Sequence, residues 1–227
     1  MSPTRQARGG GSNETVAFRA TDESDAAGLE ALQSLVFPTL DDRQRFKREH
    51  YLRHLEVFPE GQFVAVDCSS VPECLVGMTS SLRLNFDFSR PDHRFEDVAQ
   101  GGWLAAHDAS GRWLYGADIG THPDYRRRGI ARGLYRLRHQ TVRRLELAGQ
   151  LTVGMMRGYG LHRDRMSPQR YYEGILSGAI YDPTISTQMK LGFEPRGLIE
   201  DYVNDPVCDG WGVLLVVHRD CDIPPRA

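Results

Sequence analysis

The stretch from Asp118 to Ala148 constrains this chain more than any other, because a short strand runs through a basic glycine turn into a long amphipathic helix. Ile130, Leu134, Leu137, Thr141, Leu145 and Ala148 recur at steps of three and four and predict one helical face. Pro123 withholds a backbone donor and ends the strand. Arg126, Arg127, Arg128, Gly129, Ile130 and Ala131 then make the turn, where Gly129 permits backbone angles or a close approach that a side chain would obstruct. A helix that starts from such a turn aims several unpaired N–H groups and its positive dipole end at one point. Adjacent arginines add forks of donors that suit phosphate oxygens. A surface helix after a solvated basic loop is the plainer alternative. Strand, arginines, glycine, small residue and helix in that order favour a pyrophosphate cradle.

Arg126, Gly129 and Ala131 occupy the positions of the Arg/Gln-x-x-Gly-x-Gly/Ala signature of the GCN5-related N-acetyltransferase (GNAT) family, which the chain resembles here. Ile119-Gly120-Thr121-His122-Pro123 is similar to the aliphatic-x-Val-x-Pro ending of the family's preceding strand. Asp182-Pro183-Thr184-Ile185-Ser186 through Gly192-Phe193 looks like its last helix and Gly-Phe exit. The resemblance implies an α/β GNAT fold: a mixed central sheet of about seven strands, helices on both faces, and a splay between two central parallel strands. Here those strands would end near Thr121 and Met155. It implies acetyl-coenzyme A as cosubstrate, with the pyrophosphate on the amides of Arg126 to Ala131 and the pantetheine arm against Ile119 and Thr121. Direct acetyl transfer to an amine is the implied activity. Dimerisation is common in the family and allows a homodimer, which no particular residue specifies.

A closer likeness runs from Gly158-Tyr159 through Asp164-Arg165-Met166-Ser167-Pro168, then Asp182-Pro183 and Gly192-Phe193. It resembles GNAT domains associated with carbon–nitrogen hydrolases and GNAT-like loading domains of polyketide synthases. Some of the latter decarboxylate malonyl thioesters and pass acetyl to a carrier-protein thiol, using a threonine and a histidine. Thr121 would stand for the threonine; Leu151 to Met155 contains no histidine, and only His162 lies nearby.

Composition bounds the remaining possibilities. The 227 residues suffice for one well-filled domain with an insertion. A formal net charge of −2 argues against a general nucleic-acid or membrane-surface binder. No apolar run is long enough to span a bilayer, and the polar, glycine-rich start lacks the apolar core of a signal peptide. Cys68, Cys74, Cys208 and Cys221 match neither a zinc spacing nor a dense disulfide framework, which predicts reduced, buried thiols, no metal and a cytoplasmic protein.

Along the chain, residues 1–14 read as a disordered tail and 15–222 as a single acyltransferase domain. Alternation and turn signals predict strands at 15–20, 62–67, 74–84, 112–121, 151–155, 193–203 and 210–218, the last buried on both faces. Helices are predicted after Thr21 or Asp22, over 41–57, after Gly129, after Ser167-Pro168 and after Asp182-Pro183. Between about 85 and 110 the patterning stops, and this aromatic-rich insertion either reaches a substrate pocket or packs its rings on the sheet.

Acetyl transfer needs a neutral amine, a polarised carbonyl and a proton for the leaving thiolate. Asp118, on the central strand just before the thioester-binding residues, is the first candidate base, with His162 and His122 as alternatives. A solvent-facing or arginine-paired carboxylate is the plain reading of Asp118. The family's frequent acid, a tyrosine four residues before the exit glycine, is replaced by Gln188, so Tyr159, Tyr171 and Tyr181 are the substitutes to weigh. That departure leaves three readings open: N-acetyl transfer, malonyl-coenzyme A decarboxylation with S-acyl transfer, and an inert acyl-coenzyme A-binding module.

Overall fold

A computed structural model describes residues 15–225, so the predicted tail at 1–14 lies outside the described residues. The strands are β1 (Val16–Ala20), β2 (Phe63–Asp67), β3 (Cys74–Leu84), β4 (Trp113–Thr121), β5 (Gly149–Met155), β6 (Glu194–Ile199) and β7 (Gly212–His218). The helices are α1 (Ala26–Val36), α2 (Arg48–Val57), α3 (Phe95–Ala99), α4 (Ile130–Arg144), α5 (Pro168–Leu176) and α6 (Ile185–Lys190). All seven strands join one mixed sheet in the order β1-β2-β3-β4-β5-β7-β6. Five neighbouring pairs are antiparallel; only β4 and β5 run parallel. Gly212 to Val217 is buried throughout, as a strand covered on both faces requires.

The parallel pair holds for a short distance. Trp113, Leu114 and Tyr115 match Gly149, Gln150 and Leu151, and beyond them the two strands part. On the other edge of β4 a bulge falls at the same level: Ser80 opposes Asp118 and Ser81 opposes Gly116, leaving Ala117 as the extra residue. Arg138, projecting from α4 and 1% exposed, donates to the Ser80 carbonyl at 3.1 Å and to the Asp118 carbonyl. Gly116 makes room for it, since a Cβ there would collide with the guanidinium. From β5, the Thr152 hydroxyl donates to the Gly116 carbonyl at 2.8 Å and closes the crotch of the fork. Side chains thus supply donors to carbonyls that the bulge and the splay leave over.

Several predicted boundaries move. α4 stops at Arg144 rather than Ala148, because Leu145 caps it and Glu146, at φ +53°, turns the chain toward β5. Its buried face includes Tyr135, Arg138 and His139, whereas Leu137 and Leu145 are only half-buried. The helix predicted over 41–57 divides, since Arg45 and Lys47 adopt extended backbone and Asp41 caps a separate turn at Asp42–Gln44. α2 buries His50, Tyr51 and His54, with Leu52 and Leu55 half-buried.

The 85–110 segment contains α3, and its Phe88 packs edge-on against Trp113. Of the four thiols, which are free, only Cys208 is buried; Cys68, Cys74 and Cys221 are exposed, contrary to the expected burial. They lie on hairpin ends and the terminal segment, outside the sheet interior. No helix among the described residues is long and apolar enough to cross a membrane.

Arg138→Met should keep the stem of the side chain but strip donors from two buried carbonyls. The expected loss is about 2–4 kcal/mol, read from the midpoint of urea unfolding at unchanged slope.

Candidate active site

Where β4 and β5 part, a cavity of about 110 Å³ opens. Gly116 to Ile119 line one wall and Thr152 to Met155 the other; Phe37, Leu40, Phe95 and Val203 close the apolar side. Its polar groups are few: Asp118, Thr152, Arg157, Gln188 and Tyr202 carry most of the chemistry. A small apolar chamber with a handful of convergent polar groups suits the reacting end of a ligand.

Asp118 is 7% exposed, and its Oδ2 has no hydrogen-bond partner. Burial raises its pKa to about 7, against the opposing pull of the Arg138 charge, the Ile119 amide and the Tyr51 hydroxyl. The carboxyl is therefore neither solvent-facing nor tied into an ion pair by Arg138, whose Nη2 donates to two backbone carbonyls while its Nε is buried without a partner. A buried carboxyl near half-protonation can take or give a proton at neutral pH.

The other predicted catalytic residues are not gathered here. Thr121 pairs with Gly77 at the far end of β4 and does not line the cavity. His162 is exposed, its ring tilted over Tyr171 at 5.4 Å, outside the residues lining the cavity. His122 accepts from the Asp124 amide in the turn after β4. Among the substitute tyrosines, Tyr159 donates to the Met166 carbonyl, Tyr171 to Asp182, and Tyr181 is exposed beside Thr187. Tyr135 and Gln188 meet at the position where the resemblance places a tyrosine: Gln188 Nε2 donates to the Tyr135 hydroxyl at 2.8 Å, and Gln188 Oε1 is buried without a partner.

The turn from Arg126 to Ala131 leads into α4, as expected. Arg127 and Gly129 both lie in the left-handed region, at φ +63° and +86°. α4 starts from Gly129 with no side-chain cap on its first amides. An uncapped helix start with alternating backbone of this kind presents N–H groups as an anion site. Arg126 and Arg127 are exposed, while Arg128 lies over the Tyr125 ring at 4.6 Å and donates to the Asp124 carbonyl. Ile130 is buried in the core and anchors the turn, and Ala131 follows half-buried. Arg157, just past β5, lines the cavity mouth and has its pKa lowered by burial and then by the nearby charge of Arg126.

On another side of the cavity, a groove of about 960 Å³ shares Gln44, Tyr202 and Val203 with it. Asp41, Glu96, Asp201, Asp205 and Asp209 line it together with Arg43, Arg94 and Arg163, so carboxylates are in excess. Sequence reading missed Arg157 and Tyr202, which precede and follow loops without any periodic signal. It also missed Tyr135, whose position one residue after Leu134 places it on the buried side of α4.

No protein-family model matches the chain. It is 33% identical over 209 residues to the probable hydrolase YhcX of Bacillus subtilis (strain 168), covering 92% of this chain but 39% of that protein. It is 27% identical over 203 residues to the uncharacterized N-acetyltransferase YkwB of the same organism, covering 89% of this chain and 88% of the relative. Among solved structures, the GphF GNAT-like decarboxylase in complex with isobutyryl-CoA aligns at a TM-score of 0.73 with 22% identity, over 89% of this chain and 99% of that one. The loading GNATL domain of CurA from Lyngbya majuscula aligns at 0.69 with 19% identity, over 90% and 98%. The ribosomal-protein-S18-alanine N-acetyltransferase from Escherichia coli aligns less closely, at 0.52 with 8% identity, over 91% and 95%.

The raised Asp118 pKa has a stability signature. The folded state holds this proton more tightly than the unfolded chain, so this contribution to stability is full below the ordinary carboxylate value of 3.8 and is lost as pH rises through about 7. Asp118→Asn should remove that decline, on the order of 4 kcal/mol between pH 4 and 8. Chemical denaturation across that range, compared with the parent, is the measurement.

Proposed function

We propose that this chain, which has the GNAT fold, is an enzyme that holds a short acyl-coenzyme A thioester in the splay between β4 and β5 and turns it over with Asp118. The observation that carries the reading is the orphaned Oδ2 of Asp118, buried at the parted strands with a pKa near neutrality. The cradle from Arg126 to Ala131 takes the pyrophosphate on its amides, Arg157 adds charge from the β5 side, and the unpaired edge of β4 at Ile119 and Thr121 receives the pantetheine arm.

The same arrangement serves two reactions. In acyl transfer to an amine, the neutral nitrogen attacks the thioester carbonyl, a C–N bond forms and the C–S bond breaks. Asp118 accepts a proton from nitrogen and returns it to the sulfur. In the second, a malonyl thioester loses carbon dioxide as its C–C bond breaks, and protonated Asp118 delivers the proton to the enolate carbon; the acetyl group then passes to a carrier thiol. Overall likeness favours the second reading, because the decarboxylase and the loading domain align at 0.73 and 0.69 against 0.52 for the ribosomal-protein-S18-alanine N-acetyltransferase. The residue set favours the first, since Thr121 and His162 stay apart and the adjoining groove is acidic.

Incubation with malonyl-coenzyme A and, separately, with acetyl-coenzyme A plus an amine panel distinguishes them by mass. Acetyl-coenzyme A or carbon dioxide from the first mixture establishes decarboxylation; acylated amine and free thiol from the second establish transfer. Binding without either product would leave an inert module. For whichever reaction occurs, Asp118→Asn should lower kcat by about 10²- to 10⁴-fold. Gly129→Val, which forces a β-branched residue to φ +86°, should abolish coenzyme A binding by calorimetry; unchanged affinity would refute the cradle.

A further inference from the structure

His93 lies in the segment between β3 and β4, with its ring edge-on to Phe86, Tyr115 and Tyr202. Its Nδ1 is 2.7 Å from the Pro91 carbonyl oxygen. A carbonyl only accepts, so Nδ1 carries a hydrogen, and Nε2 of the neutral ring is an acceptor. The Tyr115 hydroxyl, 2.7 Å away, donates to Nε2. Having given its hydrogen to His93, Tyr115 accepts from the Tyr202 hydroxyl at 2.9 Å.

Both tyrosines are buried, and Tyr202 lines the reaction cavity. His93 lines a different cleft, about 670 Å³ in volume, that it shares with Asp92, Arg94, Asp97, Glu200 and Asp201. Three side chains therefore connect the cavity to this cleft through short hydrogen bonds, with both hydroxyl hydrogens directed from the cavity toward His93.

We infer that His93, Tyr115 and Tyr202 form a proton line that exports the proton an ammonium acceptor must lose before it attacks. The inference rests on the reading of the reaction as acyl transfer to an amine. In balance, an alkylammonium and an acyl-coenzyme A give an amide, the free thiol and one proton. The Tyr202 oxygen takes that proton from nitrogen as its own hydrogen moves to Tyr115 and the Tyr115 hydrogen moves to His93 Nε2. The imidazolium then gives its Nδ1 proton to solvent in the cleft, and the ring and both hydroxyls return to their resting arrangement before the next cycle. The freed amine forms the C–N bond, the C–S bond breaks, and a second N–H proton reaches sulfur through Asp118. Decarboxylation consumes a proton instead, so the resting polarity of the line suits transfer.

The electrostatics support this direction. Burial lowers the His93 pKa, opposed by the Pro91 carbonyl and then the Asp97 and Asp92 carboxylates; Arg94, Glu200 and Asp201 are the other charged groups on the cleft. An imidazolium so placed gives up its proton readily. Burial raises both tyrosines well above the ordinary phenol value, so they relay while remaining neutral. His93 and Tyr115 act through Tyr202, which alone of the three lines the cavity.

The test is the pH dependence of acetyl-coenzyme A turnover with primary alkylamines. Tyr115→Phe keeps the ring and breaks the line. It should lower kcat about 10-fold or more at pH 7 with KM unchanged, and the deficit should close as pH approaches the pKa of the amine itself, where no proton needs exporting. His93→Ala should show the same profile and recover with imidazole added to solution, which the open cleft admits; Tyr115→Phe should not recover.

A Tyr115→Phe deficit equal at all pH values, or no imidazole rescue of His93→Ala, would overturn the line while leaving the transferase reading intact. Absence of amine acylation by the parent would overturn that reading and the export direction together. Nitrogen NMR gives a readout free of turnover: the Nδ1–H tautomer of His93 is expected, and an Nε2–H tautomer would overturn the inference.

Discussion

The hydrogen bonds that β4 and β5 do not make decide what this molecule can hold. Two parallel strands paired along their whole length would fill the centre of the sheet and leave no chamber. Here pairing ends at Tyr115 and Leu151, and the bulge at Ala117 disturbs the other edge of β4 at the same level. Carbonyls released in this way are costly when buried. Arg138, Thr79 and Thr152 answer that cost by donating to Ser80, Asp118 and Gly116. The buried guanidinium is the largest piece of this repair, and among the described residues it forms no ion pair with a carboxylate.

That division of labour explains the state of Asp118. A fully paired carboxylate would be ionised and inert, and a solvent-exposed one would titrate near its ordinary value. Arg138 stays close enough to moderate the charge but binds the backbone, so burial dominates and the carboxyl is poised near pH 7. The proposed cradle lies at the start of α4, just after β4, and an acidic groove joins the chamber through Gln44, Tyr202 and Val203. Under the proposed function, a thioester arriving over the cradle and an acceptor arriving through the groove would meet where the strands separate.

Much of the fold was legible because it is written in local signals. Strand β3 has its predicted limits, and Ser167-Pro168 starts α5 with the Ser167 hydroxyl accepting from the Arg170 amide. The left-handed backbone at Gly129 follows from a residue that tolerates it. What the sequence hid depends on contacts distant along the chain. Arg138 reads as one more arginine on a basic helix, yet its partners lie on β3 and β4, and nothing near it in sequence announces a bulge. His93 and Tyr202 are separated by the greater part of the fold, so their shared line through Tyr115 exists only once β6 and the insertion are packed. Thr121 and His162 illustrate the converse: sequence proximity to the right strands did not turn them toward the cavity. In the 85–110 segment, Phe88 packs against Trp113 while Phe95 lines the chamber.

A crystal structure with acetyl-coenzyme A bound addresses the central claim most directly. The account predicts the pyrophosphate on the amides between Arg126 and Ala131, the pantetheine arm along the unpaired edge of β4, and the thioester between Asp118 and Gln188. A coenzyme seated elsewhere, or a thioester that never enters the parted strands, would contradict it.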